Sequence, residues 1–373
     1  MDRISMAQRG IISLGELEKF HHVMERARKK EPLTIGFIGG SITQGSLSST
    51  PYTCYAYRVF EWWKTYFQND NLTFVNAGIG ATTSQFGVAR VKSDLLSKEP
   101  DVVFTEFSVN DEDNELFMET YEGLIRTILS AKNSPALLLF HNVQYDTGNN
   151  AQRIHSKIGS HYQIPMVSMK ESIFEELRKG TLLKEEITPD NLHPNDYGHE
   201  LVAYVITQAL EKIASITTTR DGIIDSKIEL PNSITPNRYE ESVRYKNSEL
   251  NPILNGFLKD EEEQYGITDL FKGGYIASKV GDSIEFELEC KLLSVQFRKT
   301  IHKPAPIAKA VIDGQEENAV ILDANFKENW GDCIYLQDIL VSDVKKKHTL
   351  KITIIEADKE LESDFYLASV IIS

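Results

Sequence analysis

LTIGFIGGSITQGS, residues 33–46, is the stretch that decides the fold of the first half of the chain. As far as Ile38 it is mainly apolar or β-branched, as in a strand that is buried on both faces. Two glycines and Ser41 follow, so the strand ends in a tight turn at the start of a helix, where a serine hydroxyl is exposed. Alone, this stretch is compatible with a helix cap, a phosphate-binding loop or a nucleophile turn.

Apolar runs and segments of helical period alternate from Leu33 to about Ile216. The further strands predicted are LTFVNAG (72–78), DVVFTEFS (101–108), ALLLFHN (136–142) and IPMVSM (164–169). The helices predicted between and after them are Tyr55–Phe67, Gln85–Ser97, Asn114–Ala131, Asn150–Tyr162 and Lys170–Lys179. Strands that alternate with helices in this way predict a parallel sheet covered on both sides, which is a three-layer α/β sandwich.

The pattern changes after residue 216, where no long helix is predicted. Alternating stretches appear instead, namely SIEFELECKLLSVQFRK (283–299), AKAVIDGQEENAVIL (308–322), HTLKITIIEA (348–357) and DFYLASVIIS (364–373). Such stretches, separated by polar turns, predict a β-sandwich or jelly roll. We therefore expect an α/β domain at residues 1–216, a tether at 217–265 and an all-β domain at 266–373.

Composition excludes several classes of partner. The formal net charge is -15, so a nucleic acid or an acidic membrane surface would be repelled. The three cysteines are far apart and form no CxxC pair that would suggest zinc or redox chemistry. The N-terminus lacks a secretory signal pattern, and no apolar window reaches the roughly 18 residues of a membrane span. The expectation is a soluble, cytoplasmic protein.

Polar or glycine residues follow the next two strands, at the edge of a parallel sheet where ligands bind. In NAGIGATTSQFG (76–87), Gly78 and also Gly80 offer backbone N–H groups that suit an oxyanion-hole donor, although a simple turn is an equal explanation. Asn110 follows the third strand and is either a helix N-cap or a second oxyanion donor. Asp111 is expected to bind nearby loop backbone.

The loop ITPDNLHPNDYGHE, residues 187–200, supplies an acid and an imidazole ahead of YGHELVAYVITQALEKIA (197–214), which is predicted to be the helix that closes the α/β pattern. A neutral His193 can take a serine proton at Nε2, while Asp190 at Nδ1 fixes the tautomer. A capping aspartate beside a surface histidine is the alternative for this loop by itself. His199 is expected to be a surface or packing histidine. Because a metal site at His193 and His199 lacks further ligands, no metal is expected.

Together these four blocks resemble the SGNH, or GDSL-type, hydrolases. The blocks are GGSITQG (39–45), NAGIGATTS (76–84), SVND (108–111) and DNLHP (190–194), and the resemblance covers residues 33–216. It implies a flavodoxin-like α/β/α domain that needs no cofactor. It also implies the following roles: Ser41 as nucleophile, the amides of Ser41 and Gly78 with the Asn110 side chain as oxyanion hole, His193 as general base and Asp190 as its orienting acid.

The first block departs from the family pattern, since it reads GGSIT where many members read GDSL. Many carbohydrate esterases of the superfamily read G-x-S-I-T-x-G, so the resemblance implies a sugar ester rather than a lipid. Trp330 lies in the polar turn NFKENWGDC, residues 325–333, of the all-β domain. A loop aromatic can stack on a sugar ring, although filling the sandwich core or a domain joint is an equal alternative.

The two-domain architecture is similar to that of carbohydrate esterase family 17, the mannan O-acetylesterases, whose accessory domain resembles a carbohydrate-binding module. This resemblance implies the removal of O-acetyl groups from acetylated hemicellulose oligosaccharides, with mannan favoured. The alternatives are an acetylxylan esterase and a thioesterase or lysophospholipase of the same superfamily. A non-catalytic carbohydrate-binding protein and a phosphate-binding module agree less well with the residues. A homo-oligomer is compatible with the tether, but nothing requires one.

Overall fold

The chain forms two compact units, Met1–Glu240 and Glu241–Ser373. The computed structural model describes residues 1–216, 230–358, 360 and 363–373. The division between the units falls inside the segment 217–265 that the sequence analysis predicts to be a tether, and residues 217–229 of that segment lie outside the described residues.

The first unit contains the alternating strands and helices that the sequence predicts, together with additional short elements. Its strands are β1 (Ile11–Ser13), β2 (Leu33–Gly39), β3 (Leu72–Gly78), β4 (Val102–Glu106), β5 (Ala136–His141) and β6 (Met166–Ser168). Its helices are α1 (Arg3–Gly10), α2 (Glu18–Arg28), α3 (Ser41–Gln44), α4 (Tyr55–Phe67), α5 (Ser84–Asp94), α6 (Glu115–Leu129), α7 (Gln152–His161), α8 (Glu175–Arg178), α9 (Lys184–Ile187) and α10 (Asp196–Ser215). A π-helix, Lys170–Phe174, leads directly into α8.

The sheet of this unit has the order β1-β6-β5-β4-β2-β3. The strands β2 to β6 are parallel, and β1 is an antiparallel edge strand. Helices α2, α4 and α10 pack on one face around a core to which the strands contribute buried side chains such as Ile35, Phe37 and Phe104. Helices α5, α6 and α7 pack against one another and cover the other face. The three-layer α/β/α prediction is therefore confirmed.

Residues 230–240 belong to the first unit because helix α6 binds them through a buried carboxylate. Glu122 of α6 is fully buried. Its two oxygens accept hydrogen bonds from the backbone N–H groups of Ile234 and Thr235, both at 2.8 Å, and from the Tyr162 hydroxyl at 2.7 Å. A buried carboxylate is stable only when donors surround it, and these three donors meet that requirement.

Two ion pairs on the same face of α6 extend this attachment. Glu119 accepts hydrogen bonds from the Arg238 backbone N–H at 2.7 Å and from its guanidinium at 3.0 and 2.7 Å. Arg126 donates to Glu240 at 2.8 Å. The segment 230–240 is thus held along its length by charged groups of one helix, and the first unit ends where these contacts end.

The second unit is a nine-stranded antiparallel β-sandwich. Its strands are β7 (Val243–Tyr245), β8 (Ile253–Asn255), β9 (Leu258–Lys259), β10 (Tyr275–Ala277), β11 (Ser283–Lys299), β12 (Ile307–Ile312), β13 (Val320–Asp323), β14 (Cys333–Glu356) and β15 (Phe365–Ile372). Between the layers lies an apolar core that includes Phe286, Leu350 and Leu367. The predicted all-β class of the second domain is confirmed.

Two long strands belong to both layers of the sandwich. The first half of β11 pairs with β8 and with the end of β14, which in turn pairs with β12. The second half of β11 pairs with the start of β14 and with β15. The pairing of β11 with β14 shifts register between Cys290 and Leu292 and again between Leu293 and Ser294. Bulges of this kind bend a strand, which lets a single ladder pass from one layer to the other.

Within the described ranges, no helix is long and apolar enough to cross a membrane. All three cysteines are free and buried.

The Glu122 contacts predict a large effect of an isosteric substitution. Glu122→Gln replaces an accepting oxygen by an amide that faces donors, so we expect the free energy of unfolding of the first unit to fall by about 3 kcal/mol in a urea titration. Glu115→Gln, at an exposed position on the same helix, is the control and should change it by less than about 1 kcal/mol. Equal stability of the two variants would contradict this account of the attachment.

Candidate active site

Ser41 lies where the direction of the sheet's connections reverses. Strand β2 has β3 as one neighbour and β4 as the other, although both follow it in the chain. Such a reversal opens a crevice at the carboxyl ends of the strands, where ligands of α/β sheets bind. Ser41 is the first residue of α3, and only 8% of its surface is exposed. The serine is therefore positioned by the end of a central, buried strand.

Three predicted residues meet at this point as a hydrogen-bonded chain. The Ser41 hydroxyl is 2.8 Å from Nε2 of His193. Nδ1 of His193 is 2.6 Å from Oδ2 of Asp190. The side chains of His193 and Asp190 are 22% and 44% exposed, so the chain leads from a buried nucleophile toward solvent. This is the geometry of a nucleophile, a general base and an orienting acid.

Asp190 is held in its ionised form by its surroundings. Partial burial raises the pKa of this carboxyl, but the hydrogen bonds from the His193 ring and from the backbone N–H groups of His193 and Leu192 outweigh it, so the pKa is lowered overall. The two N–H groups donate to Oδ1 at 2.8 and 3.0 Å. Oδ2 is then left to accept from His193, which keeps the proton of the neutral ring on Nδ1 and leaves Nε2 free to accept one.

Contacts from other elements fix the shape of the catalytic loop. Asn191 has a left-handed backbone with φ of 70°. Its carbonyl accepts a hydrogen bond from the Tyr145 N–H at 2.7 Å, from the loop after β5. The loop closes where the Asn195 N–H donates to the Ile187 carbonyl at 2.8 Å. Asp190 and His193 are therefore presented on a fixed turn.

Asn110 is brought against the nucleophile turn, as the sequence predicts. A Cβ atom on Gly40 would lie 2.5 Å from Oδ1 of Asn110, which real structures do not tolerate. The glycine before Ser41 therefore makes room for the amide. This Oδ1 is buried and has no hydrogen-bond partner among the described residues. The placement of the amide agrees with its predicted role as an oxyanion donor, which remains a prediction.

The oxyanion role expected of Gly78 stays a prediction, and the structure shows which contacts this glycine makes. Its N–H donates to Oδ1 of Asn76 at 2.9 Å and is therefore engaged within the protein. A Cβ on Gly78 would lie 2.2 Å from the Gln44 backbone nitrogen, so this glycine allows β3 to approach α3. The alternative Gly80 lies closer to the nucleophile, since its own Cβ would be 3.7 Å from that of Ser41. The Gly80 N–H donates to Oε1 of Gln44 at 2.6 Å.

Two positioning residues escaped the sequence analysis. Asn76 donates to the Thr43 carbonyl at 2.7 Å and accepts from Gly78, so it ties β3 to the helix that carries Ser41. The sequence feature that could have identified Asn76 is an amide side chain inside an otherwise apolar run. Arg90 of α5 is completely buried and donates to the carbonyls of Gly39 and Ala77 at 3.1 and 2.7 Å. Nothing in the sequence around Arg90 distinguishes it from a surface arginine.

Asp111 binds loop backbone, as predicted. Its Oδ1 accepts from the Ser84 N–H at 2.9 Å, and its Oδ2 is 3.0 Å from Nε2 of His155. Burial raises the pKa of Asp111 and lowers the pKa of His155, because neither charge is solvated there. The contact joins the Asn110 loop to the start of α5, the helix that follows the loop containing Gly80.

His199 is a buried histidine outside the catalytic chain. Its Nδ1 accepts from the Tyr55 N–H and its Nε2 donates to the Ser46 carbonyl, both at 3.2 Å. This pattern requires a neutral ring with its proton on Nε2. Burial lowers the pKa of His199 to about 4, which keeps the ring neutral. The packing role expected for His199 is confirmed.

Trp330 belongs to the second unit and is 56% exposed. Its ring lies edge-on to Phe326, with 5.0 Å between the centroids. It does not fill the sandwich core, which was one alternative. Across the portion of the chain that the structure describes, no group of three or more His, Cys, Asp or Glu side chains is arranged to hold a metal ion.

Comparison with known proteins adds independent information. The sequence model of the GDSL-like Lipase/Acylhydrolase family matches residues 37–201. Two crystal structures of a two-domain esterase (CEX) active on acetylated mannans, one co-crystallized with mannopentaose, are 50% identical to this chain. They cover 98% of it and 97% of their own chain, with TM-scores of 0.94 and 0.93.

A more distant likeness is to the acetyl xylan esterase AlAXEase. It is 24% identical, with a TM-score of 0.41, over 48% of this chain and 99% of that one. No curated protein matches the chain.

The hydrogen-bonded chain predicts the effect of Asp190→Asn. An asparagine can donate to Nδ1, which favours the wrong tautomer of His193, so we expect kcat for an activated acetate ester to fall at least about a hundredfold with little change in KM. Ser41→Ala, which removes the nucleophile, should lower the rate to the background. Circular dichroism checks that both variants fold. A kcat within threefold of the wild type for Asp190→Asn would contradict the role of this carboxyl.

The buried neutral ring of His199 predicts how stability depends on pH. Its pKa is about 4 in the folded chain and about 6.5 when unfolded, so only the unfolded state takes up the proton as the pH falls between these values. Stability is therefore lost on acidification through this window. Between pH 7.5 and pH 5, the wild type should lose about 2 kcal/mol more than His199→Gln in urea titrations. Parallel pH profiles of the two proteins would contradict the assignment.

Proposed function

This chain belongs to the family of GDSL-like acylhydrolases, and we propose that it removes O-acetyl groups from acetylated mannan oligosaccharides. The observation that carries the proposal is the hydrogen-bonded chain of Ser41, His193 and Asp190 at the carboxyl end of the sheet. The full-length likeness to an esterase active on acetylated mannans supports the choice of substrate.

The reaction proceeds through an acetyl-enzyme. His193 Nε2 accepts the Ser41 proton as the serine oxygen bonds to the acetyl carbonyl carbon. The sugar oxygen then leaves with that proton. A water molecule adds to the acetyl group, gives its proton to His193, and the Ser41–acyl bond breaks to release acetate and restore the hydroxyl. Asp190 stabilises the imidazolium that forms in each half of the cycle.

The oxyanion is stabilised by donors at the nucleophile turn. We assign the Asn110 side chain to this role, together with the Ser41 amide at the start of α3. Preorganised donors of this kind act strongly on the developing charge, and loss of one costs about 3 kcal/mol of transition-state stabilisation. The hydrogen bond from the Ser84 N–H to Asp111 holds the Asn110 loop against the start of α5.

A sugar ester is favoured over a lipid on two grounds. The first is the GGSIT block, which resembles that of carbohydrate esterases. The second is the mannopentaose co-crystallized with the 50%-identical esterase. We also propose that the second unit acts as a carbohydrate-binding module, with Trp330 as its sugar-stacking residue, because this exposed ring does not fill the core. The cytoplasmic location and the homo-oligomer remain predictions.

The decisive experiment ranks substrates by acetate release. Purified enzyme is assayed on acetylated mannan, on acetylated xylan and on a long-chain acyl ester, with Ser41→Ala as the control. We expect kcat/KM on acetylated mannan to exceed that on acetylated xylan by at least about tenfold, a difference of about 1.4 kcal/mol, with the long-chain ester slowest. A preference for xylan would make the enzyme an acetylxylan esterase, and a preference for the long chain would favour a thioesterase or lysophospholipase.

A further inference from the structure

The loop between α3 and α4, residues 45–54, closes on itself next to the nucleophile. Gly45 ends the helix that carries Ser41 and has a left-handed backbone with φ of 101°. A Cβ on Gly45 would lie 3.0 Å from the Cβ of Cys54, so the two ends of the loop touch. A compact surface loop with adjoining ends is an Ω-loop, a type that is frequently functional. We call it the 45–54 loop.

Helix α10 binds this loop through two residues that follow the catalytic histidine. Asp196 accepts from the backbone N–H of Ser49 at 2.7 Å and also from its hydroxyl. These hydrogen bonds lower the pKa of Asp196 to about 2, so the carboxylate is charged at neutral pH. His199 binds the Ser46 carbonyl at one end of the loop and the Tyr55 N–H just beyond the other. The loop is thus fixed to the helix that begins directly after the catalytic turn.

The tip of the 45–54 loop is a rigid turn. The Thr53 N–H donates to the Thr50 carbonyl at 3.1 Å, and the Thr53 hydroxyl accepts from the Thr50 N–H at 3.1 Å. The ring of Pro51 fixes one backbone angle at the centre of the turn. Tyr52 is the other central residue, so its side chain is presented from an ordered backbone.

Tyr52 is a supported aromatic ring with a free surface. It is 66% exposed. Its ring lies edge-on to Tyr57, with 4.9 Å between the centroids. Tyr57 in turn contacts Phe60 and Phe74, with centroids 5.7 and 5.4 Å away. A ring that is held by neighbours loses little conformational entropy when a ligand stacks on it, and a flat aromatic face suits the apolar face of a sugar.

We propose that the 45–54 loop is a sugar-binding subsite, in which Tyr52 stacks on a sugar unit of the acetylated oligosaccharide bound at Ser41. The proposal rests on the function proposed above and extends it. The loop continues directly from the nucleophile helix and is attached to the helix after the catalytic turn, so its position is coupled to both. Because the subsite contacts the oligosaccharide and not the acetyl group, it affects polymeric substrates more than small activated esters.

The test compares Tyr52→Ala and Tyr52→Phe with Tyr66→Ala. Tyr66 is 46% exposed near the far end of α4 and is a matched control for the loss of a surface tyrosine. For each protein, kcat/KM is measured on acetylated mannopentaose and on p-nitrophenyl acetate. In Tyr52→Ala, kcat/KM on the oligosaccharide divided by kcat/KM on p-nitrophenyl acetate should fall about five- to tenfold, mainly because KM for the oligosaccharide rises. Tyr52→Phe keeps the aromatic ring, so it should keep most of this ratio. Tyr66→Ala should leave the ratio unchanged.

The outcomes separate this proposal from the one on which it rests. A wild-type enzyme without activity on acetylated manno-oligosaccharides would overturn both. If the wild type is active but Tyr52→Ala has the same ratio as the wild type, the subsite alone would be overturned. Equal losses of activity on both substrates also leave the ratio unchanged and count as this outcome. The subsite would also be overturned by an equal fall of the ratio in Tyr66→Ala, because the effect would then belong to surface tyrosines in general.

Discussion

The hydrogen bond between Ser41 and His193 is the constraint that the architecture of the first unit has to satisfy. It joins residues 152 positions apart in the chain, and at 2.8 Å it tolerates little displacement of either. A parallel sheet meets this requirement because the carboxyl ends of its strands lie at one edge. The nucleophile leaves the sheet at β2, and the base returns to the same edge on the loop before α10. Both therefore rest on buried elements that pack in one core.

Behind this hydrogen bond lies a set of buried polar contacts that hold the strand ends together. Arg90 joins the carbonyl groups at the ends of β2 and β3, and Asp111 joins the Asn110 loop to α5. Buried charges and carboxyls are costly unless they are satisfied, and a network of this kind is rigid once its partners are in place. The site thus gains its precision from polar groups that do not touch the substrate, while the apolar core gives the unit its stability.

Structural features that depend on the local sequence pattern could be predicted, whereas features that depend on residues far away in the chain could not. The strands β2 to β6, the helices α4 to α7 and the residues Ser41, Asp190 and His193 were predictable because alternation and turn residues encode them, whereas helix α2 was not predicted. Strand β1 was not, because three residues carry no period. The role of Gly78 is harder to predict, because a glycine at a strand end serves either an open N–H or a close approach of backbones, and the sequence does not reveal the hydrogen bond from its N–H to Asn76. The attachment of residues 230–240 depends on α6, more than a hundred positions earlier.

The contact between Gly40 and Asn110 links two sequence blocks that are 70 positions apart in the chain. With 2.5 Å between Oδ1 of Asn110 and the site of a Cβ at position 40, any side chain before the nucleophile would displace the amide in this backbone geometry. The first and third sequence blocks are therefore coupled, because a side chain at position 40 would require the Asn110 amide to move. With glycine at position 40, the Asn110 amide lies against the nucleophile turn without such a shift.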